Sequence, residues 1–172
     1  LRKQDPNPAS STRGKFVDAD APRARYYLKN YFACQPALNY GYAHPDPNHP
    51  WEQSVDAPGP QAVRREMRNI MAFWMDKGID GFRVDMAQSL VKNDYDGSEL
   101  KKLWTEMRQW KDRYYPECVL ISEWSRPTEA IPDGFNIDFM MHFGIPGYPS
   151  LFFAKDTPFG ERHSYPYCYF DK

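Results

Sequence analysis

Two carboxylates in this sequence stand where chemistry could be done. Asp85 closes the run Gly81-Phe82-Arg83-Val84-Asp85, and Glu123 follows Val119-Leu120-Ile121-Ser122 and precedes Trp124. Side chains alternate across a strand, so Arg83 and Asp85 share one face while Phe82 and Val84 share the other. The apolar face suits packing under helices, and the charged face must then look into a polar interior or a cleft. A buried Arg two residues from an Asp favours the charged carboxylate, and an ionised, fixed carboxylate is what a nucleophile requires. Glu123 has a Trp for neighbour, and apolar surroundings favour the protonated form that a general acid needs. On spacing alone, a structural Arg83–Asp85 pair at a strand end is an equal alternative. Glu123 could likewise cap the next turn or pair with Arg126.

Both carboxylates stand at the C-terminal ends of strands that are consecutive in the sequence. Active sites built on parallel sheets lie at that end. Neighbouring strands are about 4.8 Å apart. If the two strands are adjacent, the carboxyl groups come to about 5–5.5 Å, the separation used by glycosidases that retain anomeric configuration.

The elements that would position them read as an alternation. Val63, Met67, Ile70, Met71 and Trp74 mark one face of a helix, with Pro60 suiting its first position and Gly78 its stop. Ile79 to Met86 reads as a strand. A capping-box pattern at Asp96-Gly97-Ser98-Glu99 opens a second helix, whose apolar face is Leu100, Leu103, Trp104, Met107 and Trp110, with Pro116 beyond its end. Cys118 to Ser122 is a buried strand, Pro127 to Ile131 a short helical turn, and Asn136 to Phe143 a third strand. Residues 1 to 60 read as mostly irregular, with Arg25 to Leu28 ordered, and the last thirty residues read as loop. Alternation of this kind implies an α/β fold with parallel strands. Three strands with two open edges do not complete a sheet, so more strands are expected from further chain or a partner.

Composition narrows the partners. The 172 residues carry a formal net charge of −1, which gives no reason to expect nucleic acid. No apolar run approaches the roughly 20 residues of a membrane span. Twelve Tyr, eleven Phe and five Trp suit a core and also sugar stacking; sixteen Pro imply long, turn-rich loops. Cys34, Cys118 and Cys168 show neither metal spacing nor a disulfide framework, and leave the compartment unknown. Leu1 does not open the chain as a native N-terminus would, which suggests a piece of a longer protein.

GIDGFRVDMAQSL and LISEW resemble the fourth- and fifth-strand motifs of the α-amylase family of glycoside hydrolases. The stretch MAFWMDKGIDGFRVD is highly specific to it, and the similarity covers roughly residues 25 to 145. Gln35-Pro36-Ala37-Leu38-Asn39 is similar to the family's QPDLN segment near the end of its inserted B domain, with Ala37 in place of Asp. The resemblance implies part of a (β/α)8 TIM barrel, about strands 4 to 6 and incomplete. Residues 1–60 would be the end of the inserted loop region and lead-in, and residues 61–172 the partial catalytic barrel. It implies Asp85 as nucleophile, Glu123 as acid/base, and Arg83 and Trp124 as substrate-binding residues. The substrate would be an α-glucan or malto-oligosaccharide, with no metal and no cofactor; calcium stays an option for the full-length parent.

The departures are informative too. The family's third-strand Asp and His have no counterpart before Arg25, and its seventh-strand His-Asp pair is absent after residue 143; no Asp follows His163-Ser164. Gln88 and Ser89 stand where starch-cleaving α-amylases have Lys-His, which points to the oligosaccharide-acting α-glucosidase, neopullulanase or glucosyltransferase branches. A transglycosylase or isomerase is one alternative and a non-catalytic carbohydrate-binding relative another. This chain by itself is expected to be inactive, because a catalytic carboxylate is missing from it.

Overall fold

The computed structural model describes residues 9–21, 24–30 and 32–139. Contacts divide the chain into two compact units, one of Leu1–Trp74 with Ser89–Lys102 and one of Met75–Gln88 with Leu103–Lys172.

The first unit opens with an antiparallel pair that the sequence reading places only in part. Strand β1 (Phe16–Ala21) pairs with β2 (Ala24–Leu28), with Phe16 opposite Leu28 and Val17 opposite Tyr27. The irregular chain that follows is tied together at single points. Tyr42 bridges to both Ser54 and Lys92, and Tyr40, Tyr42, Val55 and Val91 form a small core. Asn93, at φ 53°, links distant loops. Its Oδ1 accepts from Ser11 N at 3.0 Å, and its Nδ2 donates to His44 O at 3.3 Å.

Helix α1 (Pro58–Met75) starts two residues before the expected position. It ends where Gly78, at φ 89°, donates its N–H to Met75 O. Its buried line differs from the expected face. Pro60, Arg64, Met71 and Met75 are buried, whereas Ile70 and Trp74 are exposed. The helix is turned so that Arg64 reaches the Tyr40 carbonyl at 3.5 Å, and at 100° per residue that carries Ile70 and Trp74 out of the buried stripe. Helix α2 (Ser98–Tyr114) is capped by a different Asp from the one predicted. The Asp94 carboxylate accepts from Leu100 N at 2.7 Å and Glu99 N at 3.4 Å, while Asp96 accepts from Ser98 N at 3.1 Å. A carboxylate on these orphan amides satisfies both hydrogen bonding and the helix dipole.

The second unit is built on a parallel sheet in the order β3 (Gly81–Val84), β4 (Val119–Ser122), β5 (Ile137–Asp138). Gly81 faces Val119, Arg83 faces Ile121, and Ser122 faces Asp138. Within β4 only Leu120 and Ser122 are fully buried, so the strand alternates rather than burying every residue. Leu103, Trp104 and Met107 of α2 are buried as their spacing predicts; Trp110 is half-buried, against Tyr114 and Tyr115. The Trp104 ring lies 4.6 Å from that of Phe135, and its Nε1–H donates to Ala87 O at 3.0 Å. Lys111, almost fully buried, donates to Cys118 O at 2.6 Å and so fixes the turn into β4. Helix α3 (Pro127–Asp133) extends the predicted short turn by two residues. The expected third strand from residue 136 is seen at Ile137–Asp138; its residues 140–143, like the expected C-terminal loop, Cys168 and His163-Ser164, lie outside the described residues.

Candidate active site

Four local features bring the charged residues together at the C-terminal end of β3 and β4. Glu123 N–H donates to Val84 O at 3.0 Å, which carries the ladder one step past both strands. Asp85 follows β3 immediately. Met86 then adopts φ 46° and the chain turns into a short 3-10 helix at Ala87–Ser89. The turned Met86 presents its N–H to Glu123 Oε2 at 3.4 Å.

Arg83 joins the two acids. Its Nη1 lies 3.1 Å from Asp85 Oδ1 and its Nη2 lies 2.5 Å from Glu123 Oε2. Arg83 and Asp85 are about half exposed, at 51% and 56%, while Glu123 is at 16%. The buried Arg83 expected from the strand pattern is therefore not found, because β3 is an edge strand among the described residues. The guanidinium lies over the Phe139 ring, 5.7 Å from its centroid, within range of a cation–π contact.

The electrostatics of Glu123 favour its protonated form. Glu123 has its pKa raised, first by a hydrogen bond to the Asp85 carboxyl, then by burial and by the Asp85 charge; Met86 N–H and Arg83 oppose the shift. Burial, the expected cause, acts in the expected direction but comes second to the Asp85 carboxyl.

Trp124 is placed differently from the expectation that it lines a sugar site. It is 8% exposed and its ring packs edge-on to Phe135 at 6.2 Å, while its N–H donates to Asp138 Oδ1 at 3.1 Å. Arg126 pairs with Glu129 at 3.1 Å and not with Glu123. Gln88 and Ser89 fall in the 3-10 helix. Among the described residues no group of three or more His, Cys, Asp or Glu is arranged to hold a metal ion, and no helix is long and apolar enough to cross a membrane. Sequence reasoning missed Phe139 and the Met86 N–H. A ring just past a strand end was the available sign for the first, and nothing in residue types marks the second.

Residues 2–146 match the family model of the α-amylase catalytic domain. The chain belongs to the α-amylase family. The catalytic domain of that family is a (β/α)8 barrel, and the parallel β3-β4-β5 sheet with its intervening helices accords with a part of one. Members similar to this chain include the trehalose synthase of Pimelobacter sp. (strain R48), 29% identical over 78% of this chain and 23% of its own length. The oligo-1,6-glucosidase of Bacillus sp. (strain F5) is 39% identical over 40% of this chain and 10% of its own. Among solved structures, Eubacterium rectale Amy13B superimposes with a TM-score of 0.43 and 17% identity, over 74% of this chain and 23% of that one. The α-amylase-family chain thus spans less than a quarter of the length of these relatives.

Proposed function

We propose that this chain contributes the nucleophile and the acid/base of a retaining enzyme that acts on α-glucosidic bonds of malto-oligosaccharides or α-glucans. The observation that carries the reading is the single Arg83 guanidinium bonded to two carboxyls at the C-terminal ends of adjacent parallel strands, with the Glu123 pKa raised. Asp85 attacks the anomeric carbon as Glu123 gives its proton to the departing glycosidic oxygen. Glu123, now a carboxylate, takes a proton from water or from a sugar hydroxyl, whose oxygen then displaces Asp85. Arg83 orients both groups. Trp124 supports the turn that carries Glu123 and makes no sugar contact.

Residues 61–172 would supply about strands 4 to 6 of the barrel, and residues 1–60 the end of the inserted loop region. The third carboxylate and the remaining strands would come from further chain, so the activity belongs to the longer protein. Similarity to a trehalose synthase over 78% of the chain favours a second reading, in which a sugar hydroxyl and not water resolves the intermediate. Product analysis of the intact enzyme with and without acceptor sugar separates the two. In the same assay Asp85→Asn should abolish turnover; full activity in that variant would remove the nucleophile assignment.

A further inference from the structure

Asp138 is a carboxylate in the shortest strand of the sheet, with an unusual set of partners. Its Oδ1 accepts from the Ser122 hydroxyl at 2.6 Å and from Trp124 N–H at 3.1 Å. Those donors are the residues on either side of Glu123. Ser122 is fully buried and lies opposite Asp138 in the β4–β5 register, and its hydroxyl also comes within 3.4 Å of Ile137 O. The other oxygen, Oδ2, is buried and has no hydrogen-bond partner among the described residues. A carboxylate that spends one oxygen on two donors and buries the other unpaired is costly to keep. Core packing alone would be met at less cost by an apolar residue.

Its effect falls on Glu123. One atom, Oδ1, holds the Ser122 hydroxyl and the Trp124 backbone N–H, while Glu123 N–H is held by Val84 O. The segment therefore has little freedom to rotate about the residue between, and the Glu123 side chain leaves it in the direction of Arg83 and Met86 N–H. The next residue, Ser125, turns at φ 63°, so the chain leaves the strand direction directly beyond the clamp.

We infer that Asp138 is a positioning residue for Glu123, clamping Ser122 and Trp124 so that the Glu123 carboxyl is aimed at the departing glycosidic oxygen. The inference rests on Glu123 being the acid/base. It makes no use of Asp138 as a proton donor or nucleophile.

The test uses two substrates of the intact enzyme. An unactivated α-linked disaccharide needs a proton on its leaving oxygen, whereas α-glucosyl fluoride needs little such help. Misplacing the acid should therefore hurt the first and spare the second. Asp138→Ala is expected to lower kcat on the disaccharide about 10- to 100-fold, with KM little changed and a much smaller loss on the fluoride. Asp138→Asn keeps an acceptor oxygen and should recover most of the loss. Glu123→Gln is the reference. If it loses activity equally on both substrates, the acid/base reading fails and takes the inference with it. If Glu123→Gln discriminates but Asp138→Ala loses equally on both, Asp138 is only structural and the Glu123 reading stands. Should Asp138→Ala not fold, Ser122→Ala removes the hydroxyl bond alone. It must then show the same substrate-selective loss, smaller in size, and an equal loss on both would overturn the clamp.

Discussion

Gly81 is where the site is most easily broken from a distance. It opens β3 at φ 151°, and a Cβ there would lie 2.0 Å from Val119 O and 2.8 Å from Val119 N. Gly81→Ala therefore meets two costs. Holding a residue with a side chain at that φ costs about 1–3 kcal/mol. The contact with Val119 is with backbone, which cannot swing aside, so the start of β3 must move off β4. The bond most exposed to that movement is Val119 N to Asp80 O, 2.8 Å long, and losing one such hydrogen bond costs about 0.5–1.5 kcal/mol. Together the expected loss is about 2–4 kcal/mol, a sizeable part of the 5–15 kcal/mol that roughly bounds the stability of a domain. Gly78 supplies the control. It also has positive φ, 89°, but nothing lies within 4 Å of its would-be Cβ, so Gly78→Ala should carry only the backbone strain, about 1 kcal/mol. Urea unfolding reads the difference. With a slope of about 1–3 kcal/mol per molar, Gly81→Ala should move the midpoint by about 1 M or more beyond Gly78→Ala. Equal midpoints would refute the close approach, and with it the reason for a glycine at the head of the strand that carries Arg83.

Two further outcomes follow from charge. Asp85→Asn removes the hydrogen bond that does most to raise the Glu123 pKa. Glu123 should then titrate lower, as read by carbon-13 NMR of its carboxyl. A raised carboxyl contributes stability that is fully present below its unfolded pKa, about 4.3, and lost as pH rises through its folded value. That loss should shrink in Asp85→Asn, and a Glu123 pKa that stays or rises would contradict the assigned cause. Lys92 has the opposite sign. Burial, then Lys15, lowers its pKa to about 8 from 10.5. Its contribution to stability is therefore present above about pH 10.5 and lost as pH falls through about 8. Denaturant midpoints measured across that window should climb in the native protein and climb less in Lys92→Met.

What could be read in advance follows from periodicity. The α2 stripe of Leu100, Leu103, Trp104 and Met107 is a local pattern, and the structure buries it accordingly; of the apolar run before Glu123 it buries only Leu120. The family motif extends across Asp85 and Glu123, so adjacency of their strands was within reach of the sequence. The α1 face was not. Its orientation depends on where one long side chain, Arg64, finds a carbonyl, which no apolar count contains. The Asp94 cap was hidden because Asp96 offers the nearer pattern, and tertiary geometry chose the farther carboxylate. The β1–β2 pair escaped because FVDADA carries two Asp, a residue depleted in strands. The turn at Met86 is likewise invisible, since Met has no preference for positive φ.

The shared guanidinium has one more consequence, for inhibitors. If Asp85 serves as the ionised nucleophile of the proposed function, the three groups sum to zero charge while Glu123 keeps its proton and to −1 once it is lost. A neutral sugar ring meets the first state without penalty. A compound carrying a protonated ring nitrogen would be drawn to the second. Its affinity should therefore climb with pH through the Glu123 titration and fall again only where the amine itself loses its proton. A neutral analogue of the same shape should show no such rise.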